Sequence, residues 1–251
     1  MAEFHSPIDQ FIVHDYSAPL FSLGGHEIAF TNFSLAVVAA LVLGTMFMLL
    51  PMRKRSLVPG RWQAVTETFY SAICAIVEEA AGKHGRPLVP FIFTLFLFIL
   101  LCNLWGLIPW MYTATAQLIV NFSLAMLVIF TVLGVGFAKH GFKFFGLFVP
   151  SGVPKALVPV LAPIEFVSFF VRPCSLSLRL FGNMLAGHIL LKVFAGMTAA
   201  VATSGPAAAS GIFPVIMNVG IVGFEIFVAF LQAYIFTVLS AVYLHDALEM
   251  H

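Results

Sequence analysis

Five stretches of this sequence stay apolar long enough to cross a bilayer, and that limits the fold more than any other feature. At 1.5 Å of helical rise per residue, a hydrocarbon core of ~30 Å needs about 20 apolar residues. Runs of that order occupy residues 31–50, 88–109 and 117–138, and two longer ones occupy 153–195 and 211–245. Lipid offers no partner to a backbone amide, so each run is expected to be a helix that satisfies its own hydrogen bonds. The two long runs exceed the bilayer thickness, which implies spans that are tilted. With 61% hydrophobic and only 9% charged residues, the chain lies far from the roughly 25% charged composition of soluble domains. The expected fold is an all-α membrane protein of five transmembrane helices plus one amphipathic interfacial helix.

That interfacial helix is read at residues 61–81. Trp62, Val65, Phe69, Ile73, Ile76 and Ala80 recur at helical spacing, while Gln63, Glu67, Ser71 and Glu78 fall mostly elsewhere on the wheel. Such a segment fits the membrane surface, or a place against other spans, better than a crossing. Ahead of the first span, residues 1–30 contain no Lys or Arg and no cleavable signal pattern, and they read as a polar extra-cytoplasmic leader. Residues 31–251 are then expected to form a single membrane domain. The leader histidines His5, His14 and His26 match no metal-ligand spacing, and Cys74, Cys102 and Cys174 form no CxxC pair. No metal site or disulfide framework is expected, and the cysteines read as small core residues.

Placement of charge sets the orientation. Arg53, Lys54, Arg55, Arg61, Lys83 and Arg86 flank the interfacial helix, and Lys139, Lys143 and Lys155 lie between the third and fourth spans. The leader, the turn at 110–116 and the loop at 196–214 have no basic residue. Since cytoplasmic loops carry the Lys and Arg excess, the N-terminus is expected outside and the C-terminus in the cytoplasm. The 196–214 loop, rich in Gly, Ala, Ser and Pro, reads as a flexible link between spans.

The fourth span carries most of the polar information. Glu165, Ser168, Arg172, Ser175, Arg179 and Asn183 follow one another at intervals of 3, 4, 3, 4 and 4 residues. On a helix they form one polar stripe, ~27 Å long by helical rise, through an apolar cylinder. Pro173 removes a backbone donor midway and is expected to bend or loosen the helix. A charge at bilayer depth costs at least ~2.5 kcal/mol on insertion scales, so it needs a partner, a cavity or a function. Lys192 can snorkel towards the outer end, and Glu165 and Arg172 share a face and can bridge. Arg179 has no acid on its own helix, which leaves Glu225 or a carboxylate on another protein. In the last span Asn218, Glu225 and Gln232 repeat every seven residues and share a face. His188, nine residues beyond Arg179, lies on the opposite side of the fourth helix. His188 and Glu225, one in each of two successive spans, can be satisfied core groups or a proton relay. Asn103, Gln117 and Asn121 read as interhelical hydrogen-bonding residues.

The segments "LSLRLFGNMLAGH" and, about fifty residues later, "LQAYIFTVLSAVYL", with "NLWGLIP" ending the second span, resemble the ion-channel subunit a of F-type ATP synthases, and the resemblance covers nearly the whole chain. It implies a subunit that offers two offset aqueous half-channels to a rotating ring of c subunits and couples proton flow to ATP synthesis. It implies further partners, namely b-type peripheral stalk subunits, the remaining F1Fo subunits and the lipid membrane, and no nucleic acid. By the same resemblance Arg179 faces the ring carboxylate, Asn183 lies one turn on, Gln232 lies opposite it in the last span, and His188 and Glu225 occupy half-channel positions. Glu165, Arg172 and Asn218 complete the expected proton-translocating set. The order of histidine before acid looks like the mitochondrial type and its bacterial relatives. A bacterial inner membrane is the expected location, with the mitochondrial inner membrane as alternative, and the polar leader fits either. No phosphate loop of the GxxxxGKS/T kind is present, so ATP chemistry is expected elsewhere in the assembly and this subunit is expected to be non-catalytic, without a cofactor. Two other classes compete. An independent ion-coupled transporter would favour internal repeats, which are not apparent. An intramembrane hydrolase would need GxSxG or HExxH, which are absent.

Overall fold

A computed structural model describes residues 12–15, 21–23, 26–53, 59–108, 111–141, 144, 146, 157–202 and 212–248. Six α-helices follow in order: α1 (Asn32–Met52), α2 (Arg61–Ala81), α3 (Val89–Gly106), α4 (Leu118–His140), α5 (Val158–Ala202) and α6 (Ile212–Leu248). Five of these, all but α2, are long and apolar enough to cross a membrane. The chain is a helical membrane protein, and α2 matches the expected interfacial segment residue for residue. Ahead of α1, β1 (Phe21–Leu23) and β2 (His26–Ile28) pair antiparallel, with Ser22 opposite Glu27. This small hairpin was not anticipated, because three-residue strands are too short to show an alternating pattern.

The chain divides into two compact units. One gathers Met1–Leu43, Ile99–Gln117 and Leu180–Gln232. Here Asn32 ties the leader to the start of α1. Its Nδ2 donates to the Ile12 carbonyl at 3.0 Å, and its Oδ1 accepts from the His14 amide at 3.2 Å. Asp15 and Thr31 form an antiparallel bridge beside it. Ala36 and Ala40 are buried, and Ala36 packs with Tyr112 and Ala114 under Phe33, Val37 and Trp105. Phe33 meets Tyr112 edge to face, with centroids 6.3 Å apart. Burial pushes the Tyr112 hydroxyl above its ordinary range, opposed by the hydrogen bond it accepts from Gln117 Nε2. That Gln117 bond lies within the turn. Asn103 does bond between helices: its Nδ2 donates to the Ala229 carbonyl of α6 at 3.3 Å.

The other unit gathers Gly44–Phe98, Leu118–Arg179 and Ala233–His251. α2 buries Thr66, Ile73, Val77 and Ala81, which lie on one stripe by helical spacing. Thr66 Oγ1 reaches the Phe47 carbonyl of α1 at 3.3 Å. Phe47, Phe69 and Phe96 stack in succession from α1 through α2 to α3, and Tyr70 meets Phe93. Trp62, one turn before Thr66 at the start of α2, stays 76% exposed, as suits an aromatic belt residue at a lipid interface. The helix stops at Gly82, whose positive φ of 59° is open to glycine. Further along, Lys139 Nζ and His140 Nε2 both lie within hydrogen-bond distance of the Leu248 carbonyl, at 3.0 and 3.2 Å. They cap the C-terminal end of α6, where free carbonyls and the helix dipole favour cations.

Several expectations are corrected. α5 runs seven residues past its expected end at 195, so residues 196–202 of the supposed link are helical. Ala195, Ala199, Ala200 and Ala202 explain this, because alanine is the strongest helix former and carries the helix on towards the Gly, Ser and Pro that follow. Residues 203–211 and the expected start of the fourth span at 153–156 lie outside the described residues. α3 stops at Gly106, three residues before the expected 109, since the residues leading into Pro109 are biased against helix. α5 also continues through both Pro163 and Pro173, a continuity that a bend at Pro173 allows.

Candidate functional site

The expected site residues fall into two polar groups, one in each unit. The first contains Asn183, His188, Asn218, Glu225 and Gln232. His188 and Glu225 are buried, 7% and 5% exposed, and Gln232 is 2% exposed. Glu225 lies against Gly187 of α5, where a Cβ would collide with its Oε1. The two helices therefore meet with a carboxylate over a glycine, adjacent to His188. Neither oxygen of Glu225 takes a hydrogen bond from the described residues, and neither does the buried Asn218 Oδ1 two helical turns away on the same face. A bare buried acceptor costs about 1–3 kcal/mol, more for a charge. Such a column of acceptors suits water or a passing proton better than a sealed core. His188 is held instead through Thr113, whose Oγ1 is 3.0 Å from Nε2. Lys192, one turn further along α5, acts on His188 electrostatically.

The second group contains Glu165, Arg172 and Arg179. The α5 stripe faces outward: Arg172, Ser175, Arg179 and Asn183 are all exposed, while Leu176, Leu180 and Met184 are buried on the other side. Among the described residues no ion pair joins Glu165 to Arg172, so the expected bridge is absent. Both instead act on Asp246, near the end of α6, which also interacts with its neighbour His245. Tyr243, buried and in edge contact with Phe169 at 5.3 Å, feels Arg172 and Asp246. Arg179 lies near the midpoint of α5, with an exposed side chain and no acid of this chain within ion-pair distance among the described residues.

Sequence reasoning missed Thr113, Gly187, Tyr243, His245 and Asp246. Asp246 carried a usable signal, because it falls 21 residues after Glu225 and so continues the seven-residue repeat that Leu239 interrupts. Thr113 carried none, since it lies in a turn outside any periodic segment. Glycine at 187 reads from sequence as a tolerated helix defect until the carboxylate above it is seen. The three cysteines are free thiols, with Cys102 buried.

Comparison with known proteins shows the family. The sequence model of the ATP synthase A chain matches residues 32–245. ATP synthase subunit a of Rhizobium rhizogenes is 49% identical over 246 residues, covering 98% of both chains, and that of Agrobacterium fabrum matches to the same extent. The Bartonella bacilliformis protein of that name is 50% identical over 229 residues, 91% of each chain. A match of this length and identity means that the chain belongs to the ATP synthase A chain family.

Proposed function

We propose that this chain is the proton-conducting subunit a of the membrane sector of an F-type ATP synthase, and that it couples proton flow to ATP synthesis made elsewhere in the complex. The observation that carries the reading is Arg179, a cation exposed near the midpoint of a membrane-length helix. Such a charge is too costly to leave facing lipid, so its face belongs against a partner that brings an anion. A ring of c subunits, each with a midplane carboxylate, meets that need. The buried group around His188, Asn218 and Glu225 lines access from outside, and the group of Glu165, Arg172 and Asp246 lines release to the cytoplasm. Residues 31–251 act as one membrane domain in a bacterial inner membrane, with 1–30 outside and b-type stalk subunits among the partners. The near full-length bacterial relatives support that placement.

Arg179 separates the two paths. A guanidinium does not give up its proton in proteins, so protons cannot hop past it, and it draws a passing carboxylate into its ionised form. The attraction stays reversible: a pair at ~4 Å and an effective dielectric near 20 is worth about 4 kcal/mol before desolvation. Assembled complexes with Arg179→Ala should lose proton-driven ATP synthesis and gain passive proton leak through the membrane sector. Arg179→Lys should fail as well, because a buried lysine can deprotonate and lacks the planar fork. Proton-driven synthesis by assembled Arg179→Ala complexes would sink the reading.

A further inference from the structure

We propose that Thr113 is a positioning residue for His188, holding the proton on Nε2 so that the proton in transit joins and leaves the ring only at Nδ1. The inference rests on the conduction reading above and deepens it. Thr113 lies in the turn between α3 and α4, 3% exposed. Its Oγ1 is 3.0 Å from His188 Nε2 and 3.4 Å from the Gly106 carbonyl oxygen. A hydroxyl has one proton to give and can accept as well. Gly106 is the last residue of α3, so its carbonyl is one of those a helix end leaves without an intrahelical donor, and a carbonyl can only accept. The Thr113 proton therefore goes to Gly106, and its lone pair faces His188, which must donate from Nε2–H.

The consequence follows from the two ring nitrogens. Neutral imidazole with Nε2–H presents a bare Nδ1, and the imidazolium carries a proton on both. With Nε2–H retained in both states, His188 gains a proton by forming the Nδ1–H bond and loses the same proton by breaking it. Nε2 takes no part. Lys192 on its own helix bears on the ring electrostatically, and Glu225 of α6 lies against the adjacent Gly187.

A second feature points the same way. A Cβ at Gly106 would lie 2.5 Å from Thr113 Cγ2 and 2.6 Å from Oγ1, closer than real contacts allow. The glycine in "NLWGLIP" thus leaves the space that the Thr113 side chain fills between the end of α3 and His188. Without it the hydroxyl could not reach both groups.

The test uses assembled ATP synthase in inverted membrane vesicles. Thr113→Val keeps the branched shape and removes the hydroxyl, so ATP-driven proton pumping should fall roughly tenfold at equal amounts of complex, the effect of losing one buried hydrogen bond. Thr113→Ser should stay within about twofold of the parent, because it keeps the donor and acceptor. Nitrogen-15 spectra of histidine-labelled complex, with His188→Gln as the subtraction reference, should show a bare Nδ1 on His188 in the parent and in Thr113→Ser. Thr113→Val should show mixed tautomers. A parent His188 protonated at Nδ1 while neutral overturns the proposal, as does Thr113→Val pumping at the parental rate. If Thr113→Val does not assemble, the parental spectrum alone decides. Normal pumping by His188→Gln would remove the conduction role of His188 and the proposal with it, whereas loss in His188→Gln with normal Thr113→Val removes the proposal alone.

Discussion

Gly187 shows how much one missing methyl can decide. Alanine is normally the better helix residue, by about 1 kcal/mol. Here its Cβ would collide with the Glu225 carboxylate, and overpacking costs about 1–3 kcal/mol. Gly187→Ala should therefore be destabilising on balance and should lower proton pumping at least severalfold in assembled complexes, because Glu225 must leave its position. Glu225→Asp, one methylene shorter, should restore part of the pumping in the Gly187→Ala background. No restoration would mean that the glycine matters for another reason. Residues of this kind were illegible in the sequence, since a helical glycine gives no sign of what packs over it. Arg179, Glu225 and His188 were legible, because a polar side chain in an apolar run stands out without any structure.

Helices were legible wherever lipid imposes their length, and less so at their ends. The surface helix was legible because its buried stripe recurs at helical spacing, whereas the extension of α5 to Ala202 is masked in the sequence by the Gly, Ser and Pro that surround its alanines. The proposed topology can be checked by single cysteines at Ser17, Ser56, Met111, Lys143 and Ser204, which should label outside, inside, outside, inside and outside. Met111 serves the outer turn because it is exposed, while Thr113 is buried. Labelling of position 204 from the inside would discard the five-span arrangement. The cap on α6 gives a separate expectation. Lys139→Met should lower the thermal stability of the subunit by about 0.5–1 kcal/mol, the usual worth of a cation at a helix C-terminus. Lys139→Arg should restore it, as read from the temperature at which the subunit in purified complex becomes protease-sensitive.

For the molecule as a whole, the proposed function makes the exposed stripe on α5 the face that a partner covers. Cysteines at Ser175 and Asn183 should cross-link to a small two-helix proteolipid carrying one midplane carboxylate, and cysteines at the buried Leu180 and Met184 should not. Equal cross-linking from both sets would remove the partner-facing stripe. Taken alone, the sequence determined the solvent, the number of crossings and the set of midspan polar residues, because the transfer of charge and backbone into lipid is so costly that it shows in composition and spacing. Which of those residues turn inward was decided only by tertiary packing. Glu225 and His188 became buried, Arg172 and Arg179 stayed exposed, and Thr113 and Gly106 came to bear on His188, because side-chain contacts between helices depend on how the helices meet, which no single segment encodes.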